Sequence, residues 1–218
     1  MAIADAEALA KWAQSKFSIW LGHRGVGHRL TQPPRLKVLN GLQYYLEYDF
    51  VMDGSSRTSV SSSDLSDVYH ASYFSSLWNI LHGATLAEST PGQNGSETRD
   101  DTPGVYVTPS ELRAAGFAWP CNALHDNVMY GVMFELHANR HFLKKSWPRS
   151  NEYLYAASGL KITKVRLLLN IDIGRGKPRC SEWIGNLEIT PPGEEAADPH
   201  CGGKLRPFTD FRAHCWHS

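Results

Sequence analysis

Apolar residues recur at helical spacing near the start of the chain. Ile3, Ala6, Leu9, Ala10 and Ala13 fall on one stripe, which predicts a short amphipathic helix over residues 3–17. Asp5 and Glu7 near its start and Lys16 near its end suit the helix dipole. The following GHRGVGHRLTQPPR is rich in Gly, Arg and Pro and reads as a loop. Its GxxGxG is not a dinucleotide fingerprint, and no strand–helix pattern surrounds it. Residues 36–52, LKVLNGLQYYLEYDFVM, are apolar and aromatic, and the alternating second half predicts a strand.

A Ser-rich stretch, residues 54–66, follows as a flexible seam. Residues 67–69 then predict a short strand. Residues 75–82 predict a helix, with Leu77, Ile80 and Leu81 on one face and Gly83 placed to end it. A polar loop over 90–103 leads to a strand at 104–107. PSELRAAGF after it reads as a helix capped near Thr108 or Ser110. Residues 130–137, 152–156 and 162–171 alternate as strands, with Glu135 facing solvent. The stretch 138–150 reads as a basic loop, and no internal repeat is present. Many strands, few helices and no regular strand–helix alternation predict an α+β fold with a mostly antiparallel sheet. The expected organisation is an N-terminal extension (1–66), a core (67–172) and a Gly/Pro/Cys/His-rich C-terminal segment (173–218).

Composition narrows the function classes. The chain has 218 residues, 42% of them hydrophobic and 20% charged, which fits a globular domain and argues against wholesale disorder. Lys+Arg and Asp+Glu are equal at 22 each. The bulk charge therefore lends nothing to nucleic-acid binding, although local basic patches stay open. The N-terminal residues contain no apolar run fit for a signal peptide or a membrane span, so an intracellular, membrane-free protein is expected. Four cysteines, Cys121, Cys180, Cys201 and Cys215, do not make a disulfide scaffold at this size. Trp12, Trp20, Trp78, Trp119 and Trp147 read as packing or surface aromatics, because no regular Lys/Arg pattern makes them a base-stacking platform.

Three pieces put a polar residue in or beside a predicted strand: Val68-Tyr69-His70-Ala71-Ser72, Gly104-Val105-Tyr106, and Asn151-Glu152-Tyr153-Leu154-Tyr155. Each alone has an ordinary structural explanation. In order, with YHASYFSSLWNILHGATLAES, PGVYVTPS, YGVMFELHA and SNEYLYAASGLKITKVRLLLNI, they resemble the poly(ADP-ribose) polymerase branch of the ADP-ribosyltransferase superfamily. The resemblance spans roughly residues 67–172. It implies the split antiparallel sheet of that superfamily, NAD⁺ as substrate, and no required metal.

Carried over by position, the resemblance implies that His70 bonds a ribose hydroxyl of the adenosine half of NAD⁺. Ala71 stands where the family has the Gly whose backbone holds the nicotinamide carboxamide, and Ser72 matches the family's Ser. The Gly→Ala departure demands that the backbone stay in an allowed region and that Cβ clear the ligand. Tyr106 would pack its ring on the nicotinamide, with Phe117 as a second aromatic wall. Ala114 replaces a family Ser that contacts the carboxamide, with Ser110 a nearby substitute. Glu152 would be the catalytic carboxylate, holding the ribose 2′-OH and stabilising an oxocarbenium-like transition state. Nicotinamide leaves as a neutral molecule, so one carboxylate suffices.

The stretch 138–150 carries Arg140, His141, Lys144, Lys145 and Arg149 just ahead of Glu152. It reads as a solvated basic loop or as a greeting surface for an acidic acceptor or the NAD⁺ pyrophosphate. No long acceptor-binding insertion precedes Glu152, so transfer of single ADP-ribose units is expected. Protein is the leading acceptor class, and a nucleic-acid acceptor stays open. The alternatives are an NAD⁺ glycohydrolase of toxin or defence type and an inactive nucleotide- or partner-binding module of the same fold. In the C-terminal segment Cys180, Cys201, Cys215, His200, His214 and His217 lack the spacing of familiar zinc motifs, and buried thiols with surface imidazoles are the expectation.

Overall fold

The computed structural model describes residues 3–39, 43–52, 65–89, 102–118, 123–124, 128–170, 196–197 and 205–206. The fold is α+β with antiparallel sheets, as expected. Helix α1 (Ile3–His23) opens the chain and runs past the expected end at Phe17. Its buried stripe of Ala6, Ala10, Ala13, Phe17, Trp20 and Leu21 keeps helical spacing through those extra residues. The turn that closes it places Gly25 at a φ of 68°, and the Val26 amide returns to the Leu21 carbonyl at 3.1 Å. Glycine adopts that left-handed backbone without a Cβ clash.

The apolar run at 36–52 is a hairpin and not one strand: β1 (Arg35–Leu39) pairs with β2 (Gln43–Asp49). β2 pairs in turn with β8 (Leu160–Asn170), β8 with β5 (Met129–Asn139), and β5 with β3 (Leu65–Ser72), giving a five-stranded sheet ordered β1-β2-β8-β5-β3. The expected N-terminal extension thus supplies two strands of the large sheet and the helix packed on it. A second sheet has the order β4-β7-β6, formed by β4 (Val105–Val107), β7 (Glu152–Tyr155) and β6 (Leu143–Trp147). The supposed basic loop at 138–150 therefore contains an edge strand; Lys145 and Trp147 alternate with exposed neighbours there, a period too short to notice in sequence. The two sheets touch where Tyr69 and Thr108 exchange backbone hydrogen bonds of 2.7 and 3.0 Å.

Alternation divides the large sheet into two faces. On the inner face Leu46, Tyr48, Val132, Phe134, Val165 and Leu167 pack with α1, with α2 (Leu77–Gly83), and with Val105, Val107 and Tyr155 of the small sheet. Phe17, Trp20, Tyr48, Phe74 and Tyr130 form a chain of ring contacts through this core. Each such fully buried side chain contributes roughly 1.5–3 kcal/mol of burial. α2 includes Gly83, and the left-handed position that follows falls on Ala84 at a φ of 52°.

The outer face is charged. Arg166 of β8 donates to Glu47 of β2 at 3.1 Å, to Glu135 of β5 at 2.6 Å, and to Glu111. Lys164 also pairs with Glu135, and Arg35 and Lys37 of β1 lie within 3.2 and 2.8 Å of Glu47. Tyr45 and Tyr69 cover the Arg166 guanidinium from ring centroids 5.1 and 5.2 Å away. Glu135 is buried here, correcting its expected exposure. Burial favours the protonated form of Glu47, but the Lys37 hydrogen bond and Arg166 outweigh it and hold the carboxyl below its ordinary value. Burial also pushes the Tyr45 hydroxyl up to about 12. Helix α3 (Glu111–Ala115) covers this face through Ala114 and supplies Glu111.

β9 (Ala196–Ala197) and β10 (Leu205–Arg206) pair with each other. The cysteines and C-terminal histidines singled out above lie outside the described residues, as does Trp119. Among the described residues no helix is long and apolar enough to cross a membrane, and no group of three or more His, Cys, Asp or Glu is placed to hold a metal ion.

Candidate functional site

His70, Ala71 and Ser72 form the end of β3, paired with Phe134, Met133 and Val132. His70 Nδ1 lies 2.8 Å from the backbone carbonyl oxygen of Tyr106. A carbonyl only accepts, so Nδ1 carries the hydrogen and donates, which makes Nε2 the acceptor nitrogen of the neutral ring. This bond stitches β3 to β4 one residue beyond the Tyr69–Thr108 bridge. Ala71 keeps an extended strand conformation and packs with the outer-face cluster. The backbone there asks nothing of glycine.

Gly104, ahead of Tyr106, has a steric reason for lacking a side chain. A Cβ there would meet Leu154 side-chain atoms at 2.7 Å and the Tyr155 carbonyl oxygen at 2.9 Å. β4 and β7 come together because the glycine permits it. Tyr106 then stands opposite Leu154, and Glu152 stands opposite Trp147. Strand alternation puts Tyr106, Leu154, Glu152, Lys145 and Trp147 on one face of the small sheet, while Val105, Val107 and Tyr155 enter the core.

Glu152 is fixed from two directions. Arg113 of α3 donates to its Oε1 from Nε at 3.2 Å and from Nη2 at 2.6 Å. Ser150 donates its hydroxyl to Oε2 at 3.0 Å. The turn from β6 to β7 delivers that serine: the Ser150 amide returns to Trp147, and Asn151 takes a φ of 52°. Asparagine tolerates this left-handed backbone better than most residues, giving a local reason for Asn before Glu152. At the other end α3 is capped by Ser110, whose hydroxyl accepts from the Arg113 amide at 3.3 Å. Ser110 is thus a helix cap, and Ala114 beside Arg113 is buried.

Trp147 stacks on Tyr106 with ring centroids 5.6 Å apart and planes 20° from parallel. Phe117, the expected second wall, lies at the end of α3, 51% exposed, with the Arg113 guanidinium 5.9 Å over its ring. Trp147 and Arg113 are the functional candidates that sequence reasoning passed over. Trp147 gave a signal, since it sits five residues ahead of Glu152 across a tight turn and so must pair with it. Arg113 gave none, because it reaches Glu152 from a helix 39 positions earlier in the chain.

Farther along the small sheet, Lys144 donates to Glu88 at 2.9 Å and to the Pro103 carbonyl at 2.7 Å. The Glu88 carboxylate also accepts the Ala157 amide at 2.8 Å. Lys144 and that amide hold the Glu88 carboxyl below its ordinary value. Compared with known proteins, the chain matches no family model, and no curated protein matches it.

Proposed function

We propose that this chain is an NAD⁺-dependent ADP-ribosyltransferase that breaks the nicotinamide–ribose bond at Glu152 and passes single ADP-ribose units to a protein acceptor. The observation that carries the reading is the fixed Glu152 carboxylate on the same sheet face as Tyr106, whose own backbone is bonded to His70. A histidine, a tyrosine and a glutamate from separate strands are linked through neighbouring backbone and ring contacts.

The chemistry needs a carboxylate more than a proton shuttle. As the bond between ribose C1 and the nicotinamide nitrogen breaks, its electron pair leaves with nicotinamide, which becomes neutral. Positive charge then develops on the ribose. A carboxylate held still by Arg113 and Ser150 stabilises that charge without reorganising, provided it binds the 2′-OH. Both Glu152 oxygens accept hydrogen bonds, a pattern suited to an electrostatic stabiliser. The acceptor's nucleophile then bonds to C1, its proton passing to solvent, and completes the transfer.

Tyr106 offers a π-face to the cationic nicotinamide ring. A ring inserted between Tyr106 and Trp147 would need about 7 Å, twice a carbon–carbon contact, against the 5.6 Å present. Nicotinamide therefore takes the Tyr106 face away from Trp147, which backs the tyrosine. His70 Nε2, with Nδ1 held as donor, accepts from an adenosine ribose hydroxyl.

NAD⁺ binding by calorimetry tests this arrangement. Wild type binds, and His70→Ala and Tyr106→Ala each weaken binding by about tenfold, the scale of one good polar or stacking contact. No binding by folded wild type ends the NAD⁺ reading.

A further inference from the structure

β6 occupies the outer position of the small sheet, and among the described residues no strand pairs with its other side. Leu143, Lys144 and Ser146 of this five-residue strand are exposed. An edge of this kind presents a row of backbone donors and acceptors that can receive another extended chain. The strand and its flanks also carry Arg140, Lys144, Lys145 and Arg149, with no Asp or Glu between Ala138 and Ser150. The other sheet edge behaves differently. On β1, Arg35 and Lys37 lie against Glu47 and Asp49 of the neighbouring strand, so their charge is answered within the sheet. On β6 the cations share the edge with Trp147, which stands directly opposite Glu152.

Lysines on a sheet edge commonly discourage strand pairing. They do so against neutral or basic strands; an acidic strand turns the same charges into attraction. Nucleic acid fits less well, because the whole chain has a formal net charge of zero and a backbone edge offers hydrogen bonds matched to a peptide. Lys144 is engaged with Glu88, and the exposed Arg140 and Arg149 flank the strand with further positive charge.

We propose that β6 is the docking edge for an extended, acidic segment of a partner protein, which adds as a strand beside β6 and brings its chain up to Trp147 and Glu152. Its role as the acceptor's dock rests on the NAD⁺ reading, whereas the docking itself can be measured without NAD⁺. The probe is a short fluorescent peptide of alternating Glu and Thr, followed by anisotropy with the whole chain at low salt. Binding is expected, with a loss of at least about tenfold in an Arg140→Glu/Arg149→Glu variant whose circular dichroism matches wild type. A peptide N-methylated at every internal backbone nitrogen should bind comparably weakly, since neither of its edges then keeps the donors that strand addition needs. The proposal is overturned if the acidic peptide does not bind, or binds the variant or in its N-methylated form as well as it binds wild type. It is also overturned if a single-stranded oligothymidylate binds more tightly than the peptide. Loss of docking with NAD⁺ binding intact removes only the dock; intact docking without NAD⁺ binding removes only the enzymatic reading.

Discussion

Two arginines draw the contrast between the two sheets. Arg166 lies inside the outer-face network of the large sheet, with its side chain 6% exposed and carboxylates of β2, β5 and α3 around it. Arg113, on α3, reaches Glu152 on the small sheet with 38% of its side chain still exposed. Both make close ion pairs, yet their surroundings assign them different work. The large sheet uses charge to fasten strands that are far apart in sequence. The small sheet holds one carboxylate, Glu152, with 13% of its side chain exposed, between Arg113 and Ser150. Helix α3 belongs to both, since Glu111 and Arg113 point to the two sites.

The contrast can be broken at Arg166 first. Arg166→Ala strands buried Glu47 and Glu135 without their shared cation, a loss of about 3–5 kcal/mol, read as a lower urea midpoint. Arg113→Ala should cost less, about 1–2 kcal/mol, since the arginine side of the pair stays in contact with solvent. Nicotinamide release should nevertheless fall by roughly tenfold or more in that variant as Glu152 loses its anchor, with partial rescue in Arg113→Lys. Equal stability losses in the two variants would abolish the distinction. Gly104→Ala forces β4 away from Leu154 and should destabilise by about 1–3 kcal/mol, measured by the same unfolding curve. Trp147→Ala removes the backing of Tyr106, worth about 0.5–1.5 kcal/mol, and should raise KM for NAD⁺ more than it lowers kcat.

The acid response offers a finer test. Glu47 and Glu88 have folded-state pKa values below the ordinary 4.5. Their contribution to stability is therefore present above that value and is lost as pH falls through the depressed folded values. The melting temperature should drop on acidification below pH 4.5, and Glu47→Gln should flatten that drop.

The elements were largely legible in the sequence because each has a local cause. Alternation at 130–137 and 162–171 marks β5 and β8, and Leu77, Ile80 and Leu81 mark α2. Their partnerships were less so. Glu47 and Arg166 meet across 119 positions, and each alone is an unremarkable charge in a strand. No periodicity reports such a pairing, and Glu135, a lone charge in an alternating strand, reads as solvent-facing for the same reason. At the site, His70, Tyr106 and Glu152 stood out through their motifs, whereas Arg113 reaches Glu152 from a helix 39 positions away. Asn151 lies between these cases: the tight turn explains it, but only once β6 is recognised as a strand.

The most direct measurement of the central claim is nicotinamide release from NAD⁺ by the purified chain beside a Glu152→Gln variant of equal thermal stability. The account predicts release by wild type and a loss of at least about a hundredfold in the variant, the scale set by removing a key electrostatic group. Release that survives Glu152→Gln unchanged would contradict it.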